Sequence, residues 1–324
     1  MAGDFIYANG RISGKEVTLL DDRMWQMLIS AQDEKEVLRL LGDTWYGRFM
    51  QHHSMEGCFL QAMEITESEL IELSEDQRLV RGILHRRDVR NARYIWKNIL
   101  VREDSEGRIE IERQGLIPVE VIEQSVSNPE IRDSLPAEFS SVLEEIEESD
   151  RITESLIDGF MDRLAVTVEI RDLPPIGPGF KRFVADRIEQ KNFLNAGRSK
   201  QAGLTWQETE SMFFKGGHHS PEEVAEAYRK NTLQESLSEI PGFEPIAVAF
   251  GESMASGVFF SYSRECERYL LDLLEKGAFP VFGPSPLAAF VIKREMEISH
   301  LRLLVAAKAA GVTIGRLQDR LPRG

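Results

Sequence analysis

The 324-residue chain carries only two cysteines, Cys58 and Cys266. That is too few for a disulfide framework, and it fits a reducing compartment. Neither stands in a Cys-x-x-Cys pair or a catalytic context. Uninterrupted apolar runs are also missing. The nearest approach, Phe243 to Phe260, is broken by Glu244, Pro245 and Glu252, so no bilayer span is expected. The opening stretch MAGDFIYANGR has no basic start and no apolar core, so no secretory leader is expected. Positive charge is in deficit: 39 Lys and Arg face 54 Asp and Glu, a net charge of −15. A field of that sign repels phosphates, which excludes nucleic-acid binding by bulk electrostatics. Strand signals are scarce. Arg108–Gln114 alternates and reads as a short extended segment or a frayed helix end.

Catalytic signatures are absent as well. There is no Gly-x-Gly-x-x-Gly, no Gly-x-Ser-x-Gly and no His-Glu-x-x-His. Gly10 to Glu16 looks superficially like a phosphate loop. It has three residues between its glycines rather than four, and Glu16 stands where a metal-binding hydroxyl is needed. His52-His53 and His218-His219 lie in turn-like segments with no ligand spacing, and are expected to be surface histidines. Glu297-x-x-His300 is half of a carboxylate-bridged di-metal motif, but none of the six histidines supplies a second half. No catalytic residue, cofactor, metal or small-molecule substrate is expected.

What is present is helical periodicity. With 42% hydrophobic and 29% charged residues the chain has an ordinary globular composition, which excludes global disorder. Apolar residues recur at three- and four-residue steps through Asp33–Leu41, Gln77–Val101, Pro136–Glu148, Thr153–Val168, Gly179–Gly197, Pro221–Leu237 and Ser263–Lys276. The cleanest stripe runs from Pro286 to Ala310, with proline at its start and Gly311 past its end. The breakers are Asp172–Gly179, Lys215–Pro221 and Phe279–Pro286, all too short for a linker between independent domains. The fold class expected is therefore all-α, in one continuous helical assembly.

One helix motif appears three times: Asp88-Val89-Arg90-Asn91, Glu189-Gln190-Lys191-Asn192 and Glu297-Ile298-Ser299-His300. Each acid precedes Asn or His by three residues, which puts both on one helix face, and a base follows (Lys97, Arg198, Lys308). The Asn/His positions lie 101 and 108 residues apart, which predicts three units, 1–115, 116–215 and 216–324. Asp88 falls beside the apolar arc Ala92, Ile95, Trp96 and Ile99, so it needs a hydrogen-bonding partner. Two meanings remain open. The acids form a ring of carboxylates about a pseudo-threefold axis, or they make a packing hydrogen bond repeated in each unit. A second cluster, Arg86, Arg90, Arg93 and Lys97, shares one face of the first motif helix. It is either a docking strip for an acidic partner or lipid head groups, or a solvated face.

Five stretches in order resemble one family. Tyr7-Ala8-Asn9-Gly10-Arg11-Ile12 with Leu19-Leu20 is similar to the opening of the C subunit of the prokaryotic V/A-type rotary ATPases, whose eukaryotic counterpart is the d subunit. Leu41 to Gly47, with Thr44-Trp45-Tyr46-Gly47, resembles its first-repeat signature. Met212-Phe213-Phe214-Lys215-Gly216-Gly217 resembles the element before its third repeat. Pro286 to Gly311 is similar to its last helix, and the three motif helices match its three equivalent helices. His300 departs from the usual Asn, and Asp172–Gly179 is unusual. The resemblance implies three similar helical bundles of about a hundred residues, arranged with pseudo-threefold symmetry as a funnel. It implies a non-catalytic rotor part on the cytoplasmic face of the membrane proteolipid ring, holding the end of the central stalk, formed by the D and F subunits. Membrane contact would then come only through the ring. The rival reading is a helical-repeat protein-binding scaffold unrelated to rotary motors. Its 20–47-residue period is far shorter than the hundred seen here.

Overall fold

The structure is a computed structural model that describes residues 4–50, 54–101, 115–275, 283–312 and 321. Among them every regular element is a helix. The alternating stretch Arg108–Gln114 and the pair His52-His53 lie outside the described residues. The chain groups into two compact units: Met63–Gly177, and Met1–Ala62 together with Pro178–Gly324.

The first of these units contains most of α4 (Met55–Leu73), then α5 (Gln77–Leu100), α6 (Val119–Gln124), α7 (Pro129–Arg132), α8 (Ala137–Glu147) and α9 (Glu154–Asp172). Its core joins Val89, Ala92, Ile95 and Trp96 of α5 to Phe139, Leu143 and Ile146 of α8 and to Ile157, Met161 and Leu164 of α9. α5 is buried on nearly every side, and its apolar positions alone do not account for that. Polar residues therefore go inside with it, and each needs a partner. Ile99, counted in the apolar arc from sequence, is instead 48% exposed. It sits in the last turn, beyond the point where α5 is covered.

The other unit contains α1 (Asp4–Glu16), α2 (Asp22–Ser30), α3 (Glu34–Gly42), α10 (Pro178–Gln201), α11 (Trp206–Thr209), α12 (Pro221–Lys230), α13 (Leu233–Ser238), α14 (Glu244–Ser256), α15 (Phe260–Glu275) and α16 (Ser285–Ala309). Phe193, Phe243, Phe250, Phe259, Tyr262 and Leu237 lie at the centre of one of its clusters. Local chemistry sets the helix ends. Ser220 and Glu223 make a reciprocal capping box around Pro221. Asn231, at φ 59°, ends α12 and splits the single helix expected over Pro221–Leu237. Gly311, at φ 67°, follows α16, and the amide of Val312 reaches back to the carbonyl of Ala307 at 2.9 Å. The glycines of the phosphate-loop look-alike, Gly10 and Gly14, are interior residues of α1. A helix interior has its amides spent on the i−4 carbonyls and offers no cradle to an anion.

Candidate functional site

The three longest helices among the described residues, α5, α10 and α16, are the three that carry the repeated motif. All six motif residues are buried. Each acid does the same thing: it accepts backbone N–H groups from the loop that opens another helix. Asp88 accepts from Ile117 through Oδ1 at 3.1 Å and from Leu116 through Oδ2 at 3.2 Å, just before α6. Glu189 accepts from His218 and His219 through Oε2, at 2.8 and 3.2 Å, just before α12. Glu297 accepts from Leu20 through Oε2 at 2.5 Å, just before α2. Ile117, His219 and Leu20 each stand two residues ahead of their helix. An anion bonded to donors at a helix entrance also faces the positive end of the helix dipole.

Close approach of the loops explains two glycines. A Cβ on Gly115 would lie 2.1 Å from Asp88 Oδ1, and one on Gly217 would lie 2.3 Å from Glu189 Oε2. The two glycines occupy equivalent places, two residues before Ile117 and His219. Gly217→Ala is accordingly expected to cost about 1–3 kcal/mol by overpacking a buried carboxylate that has no room to turn away. Urea unfolding of the variant measures it, and a loss below about 0.5 kcal/mol would contradict the close approach.

The partners of the motif residues differ between copies. Asn192 donates through Nδ2 to the carbonyl of Phe214 and accepts the Phe214 amide at Oδ1, both at 2.8 Å. Asn91 is buried on α5. His300, the departure from Asn, pairs through Nε2 with Glu267 Oε2 at 2.8 Å and meets the Trp25 ring edge-on. Glu297 also accepts the hydroxyl of Tyr46 at 2.6 Å and an N–H of Arg294 at 2.6 Å. Arg294 is fully buried, lies over Trp45, Tyr46 and Phe290, and donates to the carbonyl and hydroxyl of Thr18. The Thr44–Gly47 signature thus supplies an aromatic wall to this node. Gly47 is there because a Cβ would fall 2.0 Å from the Gly42 carbonyl oxygen. Lys308, the base after the third motif, donates to the carbonyls of Ile29 and Ala31 and closes the C-terminal end of α2.

Burial raises the pKa of Asp88 to about 7, against the pull of its two amide bonds. Burial also raises Glu297, opposed by Arg294, Tyr46 and the Leu20 amide. Of the two expected surface histidines, His218 is exposed and His219 half-buried; both also bond to α10, and those hydrogen bonds raise both pKa values. The buried Cys266 thiol is pushed up by desolvation, the opposite of a reactive cysteine.

The basic strip faces α9. Arg86 Nε lies 3.2 Å from Glu169, Arg93 donates to Asp162 at 2.6 Å, and Lys97 donates to Asp158 at 2.7 Å. Arg90 is half-buried on the same stretch of helix. The sequence carries a signal for this: Glu154, Asp158, Asp162 and Glu169 recur at helical spacing on one face of α9. A cavity of about 620 Å³ beside the third node is lined by Trp25, Met296 and His300 and by charged side chains. Several of those charges are matched within the chain: Arg268 to Glu265, Lys293 to Glu16 and His300 to Glu267. Among the described residues no cluster of histidine, cysteine and carboxylate side chains has the arrangement of a metal site, and no helix is long and apolar enough to cross a membrane.

Long helices whose buried carboxylates hold helix-entry loops define an all-helical structural class, with side-chain chemistry directed inward. The ATP synthase (C/AC39) subunit family model matches residues 8–319, and the chain belongs to that family, which comprises the C and d subunits of V/A-type ATPases. A curated relative, the C subunit of the A-type ATP synthase of Methanocaldococcus jannaschii, is 22% identical over 94% of this chain and 82% of its own length.

Proposed function

We propose that this chain is the non-catalytic coupling subunit of a rotary ATPase. In that role it joins the central stalk, formed by the D and F subunits, to the membrane proteolipid ring and carries torque between them for ATP-linked proton or sodium transport. It would lie on the cytoplasmic face, attached to the membrane through the ring alone. The observation that carries this reading is the family match along residues 8–319. The recurring node supports it. A torque coupler has to resist shear, and a helix entrance tied by a buried carboxylate to the middle of a long helix does so. In this reading the chain comprises three helical repeats, 1–115, 116–215 and 216–324. The basic strip of Arg86, Arg90, Arg93 and Lys97 then ties the first repeat to α9 of the second, rather than docking an outside partner. The test is binding of the purified chain to a cognate D–F stalk complex by calorimetry in low and moderate salt. Stoichiometric association is expected, and its absence in both buffers would sink the proposal.

A further inference from the structure

The segment Phe214–His219 crosses α10 on a set of hydrogen bonds of unequal kind. Asn192 clamps Phe214 in both directions, and Glu189 Oε2 takes the amides of His218 and His219. Two further bonds run to imidazoles, whose charge changes near neutral pH. His218 Nε2 lies 2.5 Å from Asp186 Oδ1, and His219 Nδ1 lies 2.5 Å from Glu189 Oε1. Adjacent imidazoles thus sit on two carboxylates one helical turn apart, both fully enclosed, while Lys215 and Gly216 between the anchors are exposed.

We propose that His218 and His219 form a pH-sensitive latch, which holds the Phe214–His219 segment on α10 while the imidazoles are protonated and loosens it as they lose their protons. The surroundings favour the charged rings. α10 brings Asp186 and Glu189, and Arg182 lies against Asp186 at 3.4 Å. α15 brings the Tyr269 hydroxyl, which donates to Asp186 at 2.9 Å and accepts from Arg182. Glu223 of α12 and Glu239 after α13 add negative potential at His219, while each imidazolium opposes the other. Phe193 meets the His219 ring, and Phe243 the His218 ring, edge-on. The sum is four carboxylates against one guanidinium. The two histidines supply the matching charge, and when they are neutral the carboxylates Asp186 and Glu189 stay enclosed with less compensation.

The exposed Lys215 is the reporter. Trypsin cleavage after Lys215 in the full-length chain would be measured from about pH 6 to 8.5. Each rate is normalised to a free peptide of the same local sequence at the same pH, so that protection measures opening of the segment. Protection is expected to fall several-fold across this range in the native chain, and to be low and flat in the His218→Gln, His219→Gln double variant. Protection that stays constant with pH in the native chain overturns the proposal. Should the double variant not fold, the NMR titration of the two imidazoles in the native chain decides. Protonation midpoints above that of a free histidine support the latch, and midpoints at or below it refute it.

Discussion

Replacing Arg294 with methionine is expected to lower the stability of the unit that carries it by about 3–5 kcal/mol, the loss found when one member of a buried ion pair is removed. Arg294 is fully enclosed, and among the described residues its carboxylate partner is Glu297, itself 6% exposed. Methionine retains most of the packing against Trp45, Tyr46 and Phe290, so the loss reports on the charge and its hydrogen bonds. It leaves Glu297 with the Tyr46 hydroxyl and the Leu20 amide but no cation. The Thr18 carbonyl and hydroxyl lose their donor as well. Adding Glu297→Gln to this variant removes the uncompensated charge while keeping one carbonyl oxygen to accept. The double variant is therefore expected to be more stable than Arg294→Met alone. Urea unfolding followed by tryptophan fluorescence reads this, since Trp25 and Trp45 both lie in this unit. A single-variant loss under about 1 kcal/mol, or a double variant less stable than the single, would show that the pair does not hold the node.

The same node shows how far the sequence can be read. Glu297 and His300 stand out because the acid-x-x-Asn/His pattern recurs, and so do Asp88, Asn91, Glu189 and Asn192. Their burial follows from lying beside apolar arcs. What they bind does not follow, because the partners are backbone amides, which carry no residue signature. For Glu297 the bonded amide, Leu20, comes from the opposite end of the chain. Arg294 has no signal beyond its i, i+3 spacing from Glu297, and Tyr46 emerges only through the family signature.

The helices show the same split. α5 is legible as Gln77–Val101 and ends at Leu100, and α16 is legible through its proline and glycine punctuation. α4 does not stand out by periodicity because its glutamates are spread around the helix and one of them, Glu67, is buried, and α14 because apolar residues surround much of it. α1 is obscured by two interior glycines that look like loop residues. The pairing of α5 with α9 is readable from opposite charges on both helices, but only when the two stripes are considered together.

Asp88 gives the second large effect, through pH. Its folded-state pKa of about 7 lies well above the ordinary aspartate value near 3.9. The folded chain therefore holds this proton more tightly than the unfolded chain. Below about pH 4 both states are protonated and the group contributes no difference. As pH rises toward 7 the folded state bears a growing cost of ionisation, which levels off above about 7 at about 4 kcal/mol. His85, in the same unit, acts in the opposite direction. Burial lowers its pKa, against the pull of Asp172 2.9 Å from its Nδ1, so its contribution is lost as pH falls below about 6.5. Asp172 and Glu138 are held low by Arg171 and weaken the unit only in stronger acid. The Asp88→Asn variant separates these contributions. An asparagine can accept from only one of Leu116 and Ile117, which costs about 1–3 kcal/mol at pH 5. It carries no charge to desolvate, so at about pH 8 that loss is offset. Native-state hydrogen exchange of α5 amides, corrected for intrinsic rates, should show the native chain weakening from about pH 5 to 8 and the variant strengthening slightly under His85. The two stability profiles should cross near neutrality. Parallel profiles would mean that the Asp88 carboxylate stays ionised throughout, with Leu116 and Ile117 supplying all the compensation it needs.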